Sequence, residues 1–114
     1  MKKKTTLEEH LTQAFYAFNL AESDFRYAEN EYFKAEMAYH SAWQEYNQAF
    51  YDYVKFGTIE NYEIQHRASE TLSFRNKKAN EAKINHKLAL CRFKKAKRLY
   101  EKLKKKHDKQ LGEN

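Results

Sequence analysis

Few side chains in this chain have the types and spacing that catalysis needs. Cys91 is the single cysteine, and it lies in a Lys-rich stretch whose cations would favour a reactive thiolate. A catalytic thiol also needs an oriented His partner, and neither such a His nor a Gly-rich turn accompanies this one. We therefore expect a protein that is not an enzyme and has no catalytic residues.

Metal ligation has one candidate pair, Glu63 and His66. At i and i+3 the two side chains can reach one metal from one helix, as in di-iron carboxylate bundles. One pair is not a site, and the second half of the chain does not repeat it. The two glycines, Gly57 and Gly112, are also too few for a phosphate-binding loop. We predict no metal and no cofactor.

The basic residues near the C-terminus are the strongest chemical feature. They could neutralise several phosphates, but no helix-turn-helix, zinc-finger spacing or basic zipper accompanies them to read a sequence. Binding of nucleic acid, directed at the backbone, is therefore one alternative, and an acidic protein surface is another. The expected contacts for either partner are Arg92, Lys94, Lys95, Arg98, Lys102 and Lys105.

Composition indicates the elements that position these side chains. The 114 residues contain no proline, so almost nothing interrupts helical structure. Residues 1–56 hold six Lys or Arg and nine Asp or Glu, whereas residues 57–114 hold sixteen and seven. An acidic helix and a basic helix would attract each other across a hairpin. No stretch is apolar enough to span a membrane, and the lone cysteine favours a reducing cytoplasm.

A heptad repeat organises the first half of the chain. Its apolar residues recur in steps of four and three, with Ala at one position and Phe or Tyr at the other, which is typical of the seam of a long helix packed on another helix. We call these residues the α1 seam. They are Leu7, Leu11, Ala14, Phe18, Ala21, Phe25, Ala28, Tyr32, Ala35, Tyr39, Ala42, Tyr46, Ala49, Tyr53 and Phe56.

The second half repeats this alternation, from Leu72 to Leu103. Arg75 and His86 lie in that second seam, and we expect His86 to be a hydrogen-bonded core residue. Acidic side chains beside the first seam usually form interhelical ion pairs. The seam residues are Leu72, Arg75, Ala79, Ala82, His86, Ala89, Phe93, Ala96, Tyr100 and Leu103, and the acidic residues are Asp24, Glu31, Glu45 and Asp52.

One turn signal joins the two halves. Thr6 and Thr58 are expected helix N-caps, the first within a capping box completed by Glu9, and Gly57 is an expected left-handed helix stop. The prediction is an all-α fold with one domain, 1–114: an antiparallel two-helix hairpin with helices of about 7–56 and 58–107, a turn at 57–58 and frayed basic termini. One continuous helix through Gly57 is the alternative.

Several large apolar side chains fall outside both seams. A helix that is apolar beyond one stripe usually has further neighbours, so we expect either two hairpins that pair into a four-helix bundle or a different protein partner. The favoured function is protein binding, as an inhibitor or adaptor of a larger cytosolic machine. A homo-oligomeric scaffold is a further alternative. The expected protein contacts are Phe33, Met37, Trp43, Ile84 and Leu88.

Overall fold

The computed structural model describes residues Thr6 to Gly112, and within this range the chain forms two long helices. Helix α1 spans Leu7–Phe56 and helix α2 spans Ile59–Gly112. The helices contact each other as a hairpin, and no strand occurs in the described range. The predicted all-α hairpin is confirmed. Lys2, Lys3 and Lys4, which we expected in a frayed basic terminus, lie outside the described residues.

Both helices begin at the predicted threonine caps. The hydroxyl oxygen of Thr6 accepts a hydrogen bond from the backbone N–H of Glu9 at 3.1 Å, and that of Thr58 accepts one from the N–H of Asn61 at 3.0 Å. Each bond satisfies one of the N–H groups that have no partner inside a helix. The caps therefore fix where α1 and α2 start.

Gly57 ends α1 in the left-handed conformation. Its φ is +62°, and its N–H donates to the carbonyl oxygen of Tyr53 at 2.7 Å. Residues with a Cβ rarely adopt this φ, whereas glycine does so at little cost. The alternative of one continuous helix is therefore wrong, because the chain leaves the helical conformation at this residue.

Helix α2 continues further than the predicted end near 107. It runs to Gly112 and includes the Lys-rich segment that we expected to fray. Lysine is a good helix former, and the half-buried His107 ring lies 3.7 Å from the Glu8 carboxylate, with which it pairs when protonated. This contact ties the last turns of α2 to the first turn of α1.

The α1 seam is the buried side of α1. Every seam residue except Phe56 is buried or half-buried. The apolar residues in the described range that are buried are all alanines, namely Ala14, Ala42, Ala49, Ala79 and Ala89. A small side chain lets the opposite helix approach, and the larger rings beside it then fill the remaining space. With one neighbour per helix, those rings stay half exposed.

The α2 seam is longer than predicted and differs at one residue. Asn61, Gln65 and Ala68 are half-buried and extend the same steps of three and four towards the turn, and His107 extends them towards the C-terminus. Arg75 was expected in the seam, but it is exposed, and its guanidinium lies over the ring of Phe74 at 5.8 Å. A long charged side chain keeps its head group in water even from a seam position.

The contacts divide the chain into two compact units. The first unit contains residues 6–28 and 86–112 of the described range, and the second contains residues 29–85. That the whole chain folds as a single domain remains a prediction.

Aromatic rings interleave along the seam of the first unit. The ring of Phe18 contacts those of Phe93 and Tyr100 at centroid distances of 5.6 and 5.5 Å. Phe25 stacks on Phe93 at 5.5 Å and on His86 at 5.3 Å. Each such pair contributes about 0.5–1.5 kcal/mol beyond the burial of its area. This ladder of rings joins α1 to α2 in the first unit.

In the second unit a ring contact close to the turn joins the helices. Tyr53 of α1 packs against Tyr62 of α2 at a centroid distance of 5.6 Å, and Tyr62 stacks on His66 at 6.1 Å. Further from the turn the α2 side of this seam has mostly small or polar residues, such as Gln65 and Ala68, with Leu72 as a larger apolar one. The second unit therefore has fewer apolar atoms to bury on α2 than on α1.

Replacing Gly57 with Ala should lower the free energy of unfolding by about 1 kcal/mol, because the added Cβ meets no atom but strains the left-handed backbone. Urea unfolding followed by circular dichroism measures the change. Gly112→Ala is the matched control and should change stability little, since a Cβ there also meets no atom and the φ of Gly112 is not positive. Equal effects of the two substitutions would contradict the assigned turn.

Candidate protein-binding surface

All five side chains expected to bind a protein are exposed. The exposed fraction is 63% for Phe33, 56% for Met37 and 39% for Trp43. Ile84 and Leu88 on α2 are exposed by 58% and 48%. Exposure leaves their apolar atoms free to contact a partner, although it does not by itself identify one.

The heptad explains why Phe33 and Trp43 stay outside the hairpin. Phe33 directly follows the seam residue Tyr32, and Trp43 directly follows Ala42. One residue is about 100° of helical rotation, so a side chain next to a seam residue lies on the flank of the helix. Two helices bury only the sides that face each other, and the flank remains in solvent.

This flank of α1 carries more apolar side chains than the sequence pattern singled out. In the second unit their successive steps of four, six, seven, one and three residues keep them on one side of the helix, over roughly 140° of rotation at about 100° per residue. Val54 is 66% exposed and was missed, although its place directly after the seam residue Tyr53 matches that of Phe33 after Tyr32. We call this set the outer apolar patch. It consists of Phe33, Met37, Trp43, Phe50, Tyr51 and Val54.

Trp43 is held in a fixed orientation within the outer apolar patch. Its indole N–H donates a hydrogen bond to the hydroxyl oxygen of Tyr39 at 2.7 Å, and its ring meets Tyr46 edge to face at 5.8 Å. Tyr46 in turn stacks on Phe50 at 6.1 Å. Because its polar atom already has a partner, the side chain of Trp43 can offer an apolar face to another molecule.

The two candidate residues on α2 belong to different units. In the second unit, Ile84 is exposed, and so is Phe74, whose ring has the ammonium of Lys78 at 5.5 Å. In the first unit, Leu88 and Leu99 are exposed. Leu99 also lines an open apolar groove of about 390 Å³, whose other lining residues are His10, Gln13, Ala14, Ala17 and Leu103.

The acidic residues beside the α1 seam do not form the expected interhelical ion pairs. Glu31 pairs with Lys34 at 3.6 Å within α1, and Asp52 accepts a hydrogen bond from Gln48 of the same helix. Asp24 and Glu45 have no ion-pair partner among residues 6–112. An exposed ion pair contributes only about 0–1 kcal/mol, so seam packing rather than charge determines how the helices meet.

The six basic residues of α2 that we expected to bind a partner have no ion-pair partner within the described hairpin. All six expected contacts are exposed, and none has a carboxylate within ion-pairing distance in the described part of the chain. Phe93 and Tyr100, which lie between them in sequence, are occupied in the ladder of rings. The six are Arg92, Lys94, Lys95, Arg98, Lys102 and Lys105.

The sequence offered two candidates for chemistry, the Glu63–His66 pair and Cys91. Glu63 lies 3.9 Å from Arg67, and His66 lies 3.0 Å from Glu70, so the Glu63 and His66 side chains pair along α2 instead of converging. Within residues 6–112 no three His, Cys, Asp or Glu side chains come together to hold a metal. Cys91 is exposed as a free thiol.

Neither described helix is long and apolar enough to cross a membrane. Comparison with protein-family models, with curated proteins and with solved structures finds no match for this chain. The two surfaces that bear on its function are the outer apolar patch and the exposed basic residues of α2.

Two phenylalanines of α1 test the division between seam and patch. Phe25→Ala removes a ring stacked on His86 and Phe93 and should lower the free energy of unfolding by about 2–4 kcal/mol. Phe33→Ala removes an exposed ring and should change it by less than about 0.5 kcal/mol. Urea unfolding of both variants gives the comparison, and a similar loss in both would show that Phe33 is part of the core.

Proposed function

We propose that this protein is a non-enzymatic binding protein whose outer apolar patch docks onto another protein. The observation that carries the proposal is that the α1 seam is already covered by α2, while six large apolar side chains on the flank of α1 remain 39–66% exposed. Contiguous exposed apolar side chains on a small protein commonly mark an interaction site.

The composition of the patch supports a protein partner. It contains one Trp, two Phe or Tyr rings with high exposure, and Met37, and aromatic residues and Met are enriched in the cores of protein interfaces. Trp is also the most frequent type of hot-spot residue. Trp43 is the natural anchor of the interface, because its orientation is fixed before binding and little conformational entropy is lost.

The charge around the patch favours a protein over a lipid surface. The second unit has seven Lys or Arg and nine Asp or Glu, a net charge of −2. Helices that lie on membranes usually carry basic residues next to their apolar face, because these attract anionic lipids. Residues 29–56, which carry the outer apolar patch, hold only two cations, Lys34 and Lys55, against five acidic residues, so a protein surface is the better complement.

The spacing of the patch fits a helical partner laid along α1. From Phe33 to Val54 the patch extends over about 32 Å at 1.5 Å per residue. Side chains recurring every three or four residues form the ridges that pack into the grooves of a neighbouring helix. The partner would thus complete a three-helix or four-helix arrangement. A binder of this kind acts as an inhibitor or adaptor of a larger machine, in a reducing cytoplasm that keeps Cys91 a free thiol.

A second copy of the chain is the other occupant that this geometry admits. Two such patches on two chains would give a homodimeric four-helix bundle, and the protein would then act as a scaffold. The two occupants differ in one measurable property, which is whether the purified protein self-associates.

The proposal is tested by removing three patch side chains together, F33A, M37A and V54A. The triple variant should keep its helicity but lose at least about tenfold in affinity for its partner, since each side chain buried at an interface core contributes about 1 kcal/mol or more. The measurement is quantitative pull-down from the source cell, with sedimentation equilibrium of the purified protein for self-association. Trp43 is left in place because its loss would also break the bond to Tyr39.

The matched control removes three apolar side chains of α1 in the first unit, Y16A, L20A and Y27A, which are as exposed as those of the patch. This variant should bind like the native protein. Trp43 is the only tryptophan, so a blue shift of its fluorescence should accompany binding or self-association. A partner retained by the patch variant, or lost equally by both variants, would refute the assignment of the surface.

A further inference from the structure

A line of cations runs along the outward side of α2 in the first unit. Its residues are spaced alternately by three and four, so they lie on one side of the helix, roughly opposite the seam residues Ala96, Tyr100 and Leu103. All of them are exposed. We call this line the basic stripe, and it consists of Lys95, Arg98, Lys102, Lys105 and Lys109.

The hairpin itself does not neutralise the basic stripe. In the described range, none of its five side chains has a carboxylate within ion-pairing distance. Residues 86–112 contain eleven Lys or Arg, and their two acidic residues, Glu101 and Asp108, do not interrupt the stripe. Over residues 1–28 and 86–114 the first unit holds fifteen Lys or Arg and seven Asp or Glu, a net charge of +8.

Such a concentration of like charge works against the compact state. Neighbouring cations on one helix face repel each other by a few tenths of a kcal/mol per pair, and the helix dipole stabilises only those in the last turn. Of the acidic residues of α1 in this unit, Glu22 pairs with Arg26 of its own helix and Glu8 lies beside His107, so neither offsets the repulsion within the stripe. A partner outside the hairpin that carries a dense negative charge would remove it.

We propose that the basic stripe binds the phosphodiester backbone of nucleic acid, without reading its sequence. From Lys95 to Lys109 the stripe is about 21 Å long, and duplex DNA presents one phosphate charge for about every 1.7 Å of its axis. Over that length a duplex carries about a dozen phosphate charges, counted on both strands, and the stripe lies against those on its near side. This binding does not depend on the outer apolar patch, which lies in the second unit.

The chemistry of the stripe favours nucleic acid over an acidic protein. Four of the five residues are lysines, which act as point charges and place few geometric demands on a phosphate. A helix is straight on this scale, so its partner must carry negative charge regularly over some 20 Å, which every nucleic acid does and few protein surfaces do. The stripe contains no Asn or Gln to read base edges.

The aromatic residues next to the stripe favour a duplex over a single strand. Unpaired bases are usually bound by stacking on exposed rings. Phe93 and Tyr100 could have served, but Phe93 is enclosed by Phe18 and Phe25, and Tyr100 packs against Phe15 and Phe18. The backbone of a duplex needs no such platform.

The salt dependence of binding tests the proposal on the full-length protein. With five phosphate contacts, the affinity for a duplex of arbitrary sequence should fall by about 500-fold between 50 and 200 mM salt. A variant with four stripe residues neutralised should fall by only about fourfold over the same range, because one contact remains. Fluorescence anisotropy of a labelled duplex and of a labelled oligo-dT gives both slopes. The substitutions are K95Q, R98Q, K102Q and K105Q.

A control variant removes the same charges from exposed residues of the second unit, and it should keep the native slope. Its substitutions are K55Q, R75Q, K77Q and K83Q. Circular dichroism should show both variants as helical as the native chain. The proposal fails if the native protein does not bind the duplex at 50 mM salt, or if neutralising the stripe leaves the slope unchanged. It also fails if poly-glutamate of equal charge binds as tightly as the duplex, since an acidic protein would then be the better partner.

Discussion

The close approach of two helices along rows of alanine is the interaction on which this structure depends. The buried apolar residues of the described chain are Ala14, Ala42 and Ala49 of α1 and Ala79 and Ala89 of α2. They contribute little apolar area themselves, but they bring the backbones close enough for Phe, Tyr and His rings to interleave. In a pair of helices no third element covers these rings, so each helix can bury only one side. Everything outside the seams is left to solvent or to a partner.

Because each helix buries only one side, the charged side chains stay in solvent and contribute little to holding the hairpin together. Once the seams determine how the helices meet, an acidic side chain of α1 finds a cation at i+3 or i+4 on its own helix as readily as on α2. Glu22 with Arg26 and Glu31 with Lys34 are examples. Such exposed pairs contribute little, so the opposite charges of the two halves in sequence contribute less to joining α1 and α2 than the seams do.

The side chains left in solvent form two surfaces of different chemistry, one in each unit. The second unit has a net charge of −2 and carries the outer apolar patch, whereas the first unit has a net charge of +8 and carries the basic stripe. Apolar contact and phosphate contact differ in their salt dependence, because added salt weakens only the phosphate contact. A protein with both surfaces could engage a larger assembly that itself handles nucleic acid, through one unit for the protein and the other for the phosphates.

The sequence by itself determined the features that depend on near neighbours along the chain. The Thr6 and Thr58 caps, the stop at Gly57 and the steps of three and four in α1 are local, and the bounds of α1 followed from them. Polar residues concealed the start of the α2 seam, because Asn61 and Gln65 carry no hydropathy signal, and the contact of His107 with Glu8 joins residues far apart in the sequence. Only the tertiary structure decided which side chains the opposite helix covers, so it alone revealed that Val54 extends the patch, that Arg75 stays in water and that the basic stripe has no ion-pair partner in the described range.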